Sequence, residues 1–158
     1  MSTTSTRSVS NHPPVADRAP GQLDPRGPQV GAGLTSVVLA AVLLLPAPIS
    51  TALLAGQAVI FAIGAVRGVQ ASPYAWVFRT LVRPRLAPPT DWEDPGPPRF
   101  AQAVGLAFAV VGLVALLAGA TLVGQVAVGA ALVAALLNAV FAFCLGCEVY
   151  LLGRRLTP

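Results

Sequence analysis

Two long stretches of the chain carry no charge at all. No Asp, Glu, Lys or Arg occurs from Gly27 through Val66, and none from Phe100 through Cys147. A helix needs about 20 predominantly apolar residues to cross a bilayer, so each stretch is long enough for two crossings and too long for one. The predicted spans are Pro28–Leu45, Ile49–Val66, Phe100–Ala118 and Gly124–Leu145. Pro46-Ala47-Pro48 breaks the first pair, and the segment from Gly119 to Gly124 breaks the second, both with turn-compatible residues. Backbone groups in hydrocarbon must be satisfied within their own segment, which excludes open strands. The expectation is an all-α membrane protein with four transmembrane helices.

The two hairpins read as copies of one unit. Asp24-Pro25-Arg26-Gly27-Pro28 precedes the first span and Asp94-Pro95-Gly96-Pro97-Pro98-Arg99 the third. Gln57-Ala58-Val59-Ile60-Phe61 in the second span resembles Asn138-Ala139-Val140-Phe141 in the fourth. Each hairpin is followed by a short amphipathic piece ending in arginine, Tyr74 to Pro84 and Tyr150 to Pro158. Each unit crosses twice and returns to its starting side, so the repeats are parallel, related by an axis along the membrane normal. The organisation is a disordered cytoplasmic tail over 1–26 and a first hairpin with its interfacial helix over 27–85. A cytoplasmic linker at 86–99 leads to the second hairpin and a basic end over 100–158.

Composition agrees with this pattern and orients it. The 158 residues are 55% hydrophobic and only 10% charged, with a mean hydropathy of +0.73, well outside the range of soluble domains. All ten basic residues are arginines, and they fall in the tail, in the central 67–99 segment or at the C-terminal end. Under the positive-inside rule both termini and the central segment face the cytoplasm, as in a multi-pass protein of the inner (plasma) membrane. The net charge of +4 is therefore a topology signal. Its natural partner is an anionic lipid surface rather than a nucleic acid. The first 26 residues lack the apolar run of a signal peptide and read as a solvated tail, His12 included.

Ser72-Pro73 has the form of a helix N-cap followed by proline at the first helical position. The turns that follow set Val77, Phe78, Leu81 and Val82 to one side, with Arg79 and Arg83 four apart. That is an interfacial helix with arginines toward headgroups or another anion, and Arg154 and Arg155 repeat the arrangement at the C-terminus. Tyr74, Trp76, Trp92 and Tyr150 are expected to form an aromatic belt. The third span carries Gly105, Ala109, Gly112, Ala115 and Gly119 at steps of three and four, and the fourth carries Ala131, Ala134, Ala135, Ala139 and Ala142. Such small-residue faces let helices approach closely, within one bundle or in a homo-oligomer. Gln57 and Asn138 are expected to hydrogen-bond between helices.

The candidate chemistry lies at the end of the last apolar run. Cys144 and Cys147 are the only cysteines and stand beside Glu148, where charge resumes. Aligning the repeats on Gln57 and Asn138 sets Ile63, Val66 and Arg67 opposite Cys144, Cys147 and Glu148. On that register the second copy holds thiols that the first lacks. Thiols three apart on a helix share a face. Alternatively, Gly146 ends the fourth helix and Cys147 opens a final segment. Three chemistries fit: dithiol–disulfide exchange with a soluble protein, sulfur transfer through a persulfide, or a metal site completed by ligands from elsewhere. A structural role for the pair is the fourth reading, because cysteine is often simply buried. No haem-ligand pair, Gly-rich phosphate loop or catalytic triad is present, so no cofactor is expected. Intramembrane ionisable groups, the usual mark of ion-coupled transport, are absent from the spans.

The stretch Phe141-Ala142-Phe143-Cys144-Leu145-Gly146-Cys147-Glu148-Val149-Tyr150-Leu151-Leu152 resembles an actinobacterial membrane family, domain of unknown function 4395. The resemblance extends to Ser72-Pro73-Tyr74, to Leu81 through Leu86 and to Asp94 through Gly105, covering roughly residues 22 to 156. Members are often encoded beside thioredoxin-like and thiosulfate sulfurtransferase proteins. The resemblance therefore implies thiol or sulfur metabolism with such a partner, and Cys144 and Cys147 match the family's paired cysteines. Each half is also similar to the two-helix hairpin attached to some membrane rhodaneses, which ends near a cytoplasmic cysteine. In those hairpins a proline follows the cysteine, and here none does.

Overall fold

The computed structural model describes residues 21–156, and these are almost wholly helical. The helices are α1 (Arg26–Leu44), α2 (Ala47–Arg67), α3 (Pro73–Val77), α4 (Gly96–Leu117), α5 (Thr121–Phe141) and α6 (Leu145–Leu156). A 3-10 turn, Val69–Ala71, joins α2 to α3, and a π turn, Phe78–Val82, with a 3-10 turn, Arg83–Arg85, continues α3. Four of these helices, α1, α2, α4 and α5, are long and apolar enough to cross a membrane. The tail up to residue 20, with His12, lies outside the described residues.

The four long helices form a ring. α1 packs on α2 and α5, and α4 packs on α2 and α5. Exchanging one hairpin for the other reproduces this order, as two parallel repeats related by a two-fold axis require. Two contacts fix the parallel sense. Leu23 and Glu93, the residues before the two Asp-Pro lead-ins, exchange backbone hydrogen bonds of 3.0 and 2.9 Å. The Arg99 guanidinium, at the start of α4, donates to the Ala65 and Val66 carbonyls at the end of α2, 2.6 and 2.7 Å away. Both hairpins therefore begin and end at the same end of the bundle.

The lead-ins also share their local chemistry. Asp24 Oδ1 accepts from the Arg26 N–H at 3.1 Å, and Asp94 Oδ1 from the Gly96 N–H at 2.7 Å. Each thus satisfies a free amide at a helix start. Prolines fill the first turn of α4, where an amide hydrogen has no intrahelical partner. These caps start α1 and α4 earlier than the hydropathy pattern alone predicts. They also bring residues 21–26 into the fold rather than the tail, since Leu23 and Asp24 are buried.

Inside, Leu39, Val42, Leu54, Ala58, Phe61, Ala109, Val128 and Ala131 make one cluster with contributions from all four long helices. The small-residue stripe of α4 is spent here. Added Cβ atoms at Gly105 and Gly112 would lie 2.8 Å from the Phe61 ring and 3.1 Å from Val128. The stripe therefore serves internal packing. Outside, Val59, Val66, Val114, Leu117, Val126, Val133, Val140 and Phe141 are all exposed. An apolar surface this continuous is foreign to a water-soluble monomer and suits contact with lipid tails.

Candidate functional site

The fourth long helix stops sooner than the apolar pattern predicts. α5 ends at Phe141 instead of continuing to Leu145, and Ala142 turns left-handed with φ of 53°. The Phe143 N–H reaches back to the Leu137 carbonyl at 3.3 Å, a Schellman-type closure. Neither reading of the sequence at this point, a continuous helix or a stop at Gly146, matches the structure. The chain reverses two residues before the first cysteine, and both cysteines belong to α6.

Cys144 occupies the N-cap of α6 and Cys147 its third position. The two are joined by a disulfide with Cα atoms 5.2 Å apart. The Cys147 N–H donates to Cys144 Sγ at 3.3 Å. Sulfur here does what the hydroxyl of a conventional N-cap does. Both residues are half-buried, while Leu145 and Glu148 beside them are exposed. Glu148 lies in the first turn of α6, and Arg154 and Arg155 lie in its last turn, so charges of each sign sit at the helix end that favours them. The two arginines are therefore remote from the sulfurs along the helix.

What holds α6 in place is its packing on α4. Gly146 lies directly on Ala101: a Cβ added there would come within 2.7 Å of both Ala101 Cα and Cβ. Four residues on, the Tyr150 ring packs against Phe100, centroids 5.7 Å apart. Tyr150 therefore faces the bundle instead of joining an aromatic belt.

The first repeat has the same device without the sulfurs. The Ser72 hydroxyl caps α3 by accepting from the Ala75 N–H at 3.2 Å, just as Cys144 accepts from Cys147. Phe78, six residues after Ser72, packs against Gly27, as Tyr150 packs near Gly96. The structural counterparts of Cys144 and Cys147 are thus Ser72 and Ala75. The alignment on Gln57 and Asn138 sets Ile63 and Val66 there instead. That register fails within the helices themselves: α2 and α5, each 21 residues long, pair Gln57 with Ala131 and not with Asn138.

The other predicted residues fall as follows. Gln57 is fully buried. Its amide donates to Thr35 Oγ1 at 3.4 Å, and its Oε1 accepts from the Tyr74 hydroxyl at 2.7 Å. Tyr74 is thereby drawn inward, away from the expected belt, which leaves Trp76 as its well-exposed member. Asn138 is half-buried, and among the described residues its side chain makes no cross-helix hydrogen bond. At that level the bond between α1 and α5 runs from Gln29 Nε2 to the Ala139 carbonyl, 3.1 Å. Arg79 and Arg83 are exposed, with Arg79 donating to the Gln70 carbonyl at 2.8 Å. They line a cleft of about 200 Å³ between the start of α1 and the α3 segment. At its edge, burial pushes the Asp24 carboxyl up. The hydrogen bonds from Arg26 and the charges of Arg26 and Arg83 outweigh that and hold it below the usual carboxylate range. Among the described residues no three His, Cys, Asp or Glu side chains gather as metal ligands would.

Sequence reasoning missed Tyr74 as a buried donor, Gln29, Arg99 and the packing role of Gly146. The Ser72-Pro73 cap was the usable signal for α6: placing Tyr150 on Phe78 would have located the second cap at Cys144.

Residues 23–155 match the family model described as Domain of unknown function (DUF4395), and the chain belongs to that family. Among curated proteins and solved structures no relative matches.

Proposed function

We propose that this protein is a membrane component of thiol-redox or sulfur metabolism, in which the Cys144–Cys147 pair exchanges electrons with a thioredoxin-like protein. The observation that carries this reading is the bond from the Cys147 N–H to Cys144 Sγ at the start of a 12-residue helix. A thiolate on Cys144 would receive that hydrogen bond and face the positive end of α6. This is the setting that favours a reactive thiol over an inert buried one. The positive-inside rule sets this end of the bundle in the cytoplasm, in reach of a soluble partner.

In the reduced protein, Cys144 attacks a sulfur of the partner's disulfide. One partner thiolate leaves and takes up a proton, and a mixed disulfide forms. Cys147, three residues away, then attacks Cys144 Sγ, releases the second partner thiol and closes the intramolecular disulfide. Two electrons pass to the partner, and the reverse sequence, with a reduced dithiol partner, returns them. Each cysteine has its own expected phenotype. Cys147→Ser accumulates a mixed disulfide with a thioredoxin-like protein, because nothing resolves it, and Cys144→Ser does not. Equal trapping by both variants, or by neither, refutes the exchange.

A second reading rests on the Gly146–Ala101 and Tyr150–Phe100 contacts. In it the disulfide only staples the first turn of a docked helix, and the protein is a scaffold for a sulfur-handling complex. A Cys144→Ala, Cys147→Ala double variant then behaves as wild type in cells.

A further inference from the structure

The cleft at the first repeat sets two exposed arginines beside apolar and aromatic side chains. Its outer wall carries Arg79, in the π turn, and Arg83, where the following 3-10 turn begins. Its inner wall mixes apolar and aromatic residues, Leu23, Val69, Phe78 and Trp92, with the polar Ser72 and Gln102, and Gly31 of α1 lies at its floor. A second cleft of about 190 Å³, at the opposite end of the bundle between the hairpin turns, contains no charged residue. The first therefore differs from it in charge, at nearly the same size.

The charges across the cleft set its preference. The one carboxylate that lines it, Asp24, is held by the Arg26 guanidinium in two bonds of 2.9 Å, and its side chain is only 4% exposed. That pair is neutral. Arg79 uses one donor on the Gln70 carbonyl, and a guanidinium has five N–H donors in a planar fork. Around the cleft three guanidiniums, Arg26, Arg79 and Arg83, stand against two carboxylates, Asp24 and the neighbouring Glu93; the surplus positive charge attracts an anion, and the fork matches phosphate oxygens. Volume limits the rest. Whole drug-sized ligands take cavities from about 300 Å³ upward, so about 200 Å³ holds a headgroup-sized fragment. The cleft lies where α1 begins, level with lipid headgroups if the apolar helices span the bilayer.

We propose that this cleft binds a phosphate group carried on a small polar or glycerol-like stem, with the phosphate on Arg79 and Arg83 and the stem against Phe78 and Trp92. The proposal does not depend on the thiol reading. Its two sources are a phospholipid headgroup and a soluble phosphate ester.

The test uses the full chain in phosphatidylcholine nanodiscs containing a minor fraction of phosphatidylglycerol, with bound lipid counted by native mass spectrometry. Glycerol 3-phosphate is titrated separately into phosphatidylcholine discs. Arg79→Gln with Arg83→Gln should weaken retention at least about tenfold, the loss expected from removing charge-assisted bonds. Gly31→Leu should do the same by filling the cleft, since the nearest atom to an added Cβ there is Tyr74 Cβ at an ordinary 3.8 Å. Arg154→Gln with Arg155→Gln, on α6, should retain lipid as wild type does. Sensitivity to the cleft variants with phosphatidylglycerol assigns the site to lipid, and with glycerol 3-phosphate to a soluble ester. Wild-type retention of both probes by the arginine variant, or equal loss from the α6 variant, overturns the proposal. Arg79 and Arg83 are exposed, so the arginine variant decides the matter even where Gly31→Leu fails to fold.

Discussion

The same substitution at two glycines of α6 should have opposite effects. At Gly146 a new Cβ would lie 2.7 Å from Ala101 Cα and Cβ, and only 3.5 Å from its backbone nitrogen. The obstacle is helix backbone of α4, which cannot rotate aside as a flexible side chain can. Overpacking of this kind costs about 1–3 kcal/mol, and the simplest relief is for α6 to lift from α4. Its detached population should therefore rise roughly five- to 150-fold. At Gly153 no atom lies within 4 Å of an added Cβ, and alanine is the better helix former by about 0.5–1 kcal/mol. Hydrogen exchange of the Val149–Leu152 amides in detergent or nanodiscs reads both. Gly146→Ala should accelerate exchange by the stated factor, and Gly153→Ala should slow it a few-fold. Ala101→Gly added to Gly146→Ala should recover part of the protection and not all of it, because the α4 backbone still stands in the way. If Gly146→Ala exchanges within about twofold of wild type, the docking of α6 through Gly146 and Ala101 is wrong.

Two other perturbations test the rest of the frame. Gln57→Leu leaves the Tyr74 hydroxyl without its acceptor in a half-buried site. It should destabilise by about 1–3 kcal/mol in denaturant titration, and Tyr74→Phe in the same chain should recover part of that loss, because the orphaned group is gone. Asp24 has its folded-state pKa depressed by Arg26 despite the opposing effect of burial. Its stabilisation is thus present above the unfolded-state carboxyl value, near about 3.9, and is lost as pH falls through the folded value. Wild type should lose more stability than Asp24→Asn on acidification from about pH 5 to about pH 3, and parallel pH profiles would refute the assignment.

The four long helices were legible because lipid imposes a one-dimensional rule: charges are excluded from any segment that must span. The parallel repeat was legible for the same reason, through its charged ends. Hidden were the places where tertiary contact overrides local preference. Nothing in Val140-Phe141-Ala142-Phe143 marks a reversal, and Ala142 adopts a left-handed conformation that costs a non-glycine residue energy. The reversal follows from docking α6 on α4 at Ala101, far enough away in the chain that no hydropathy window contains both. Tyr74 was read as interfacial because an aromatic residue beside a span usually is. Its inward turn depends on Gln57, which needs a donor once buried.

The two halves bear on function through their difference. Both repeats cap a short helix at the charged end of the bundle with a side chain that accepts from the third amide, oxygen at Ser72 and sulfur at Cys144. Capping alone therefore does not explain the cysteines. Serine performs it in the same architecture, and serine is by far the better capping residue. A second cysteine at the third position adds nothing to a cap, since Ala75 holds that place in the first repeat. What distinguishes the second site is a sulfur pair close enough to bond, on a helix docked against α4, with Leu145 and Glu148 beside it exposed. If the pair were only a staple, Cys144→Ser should preserve both the cap and the docking of α6, leaving exchange at Val149–Leu152 within a few-fold of wild type. Protein function would then survive the substitution. Loss of function with α6 still protected would separate chemistry from structure at this site.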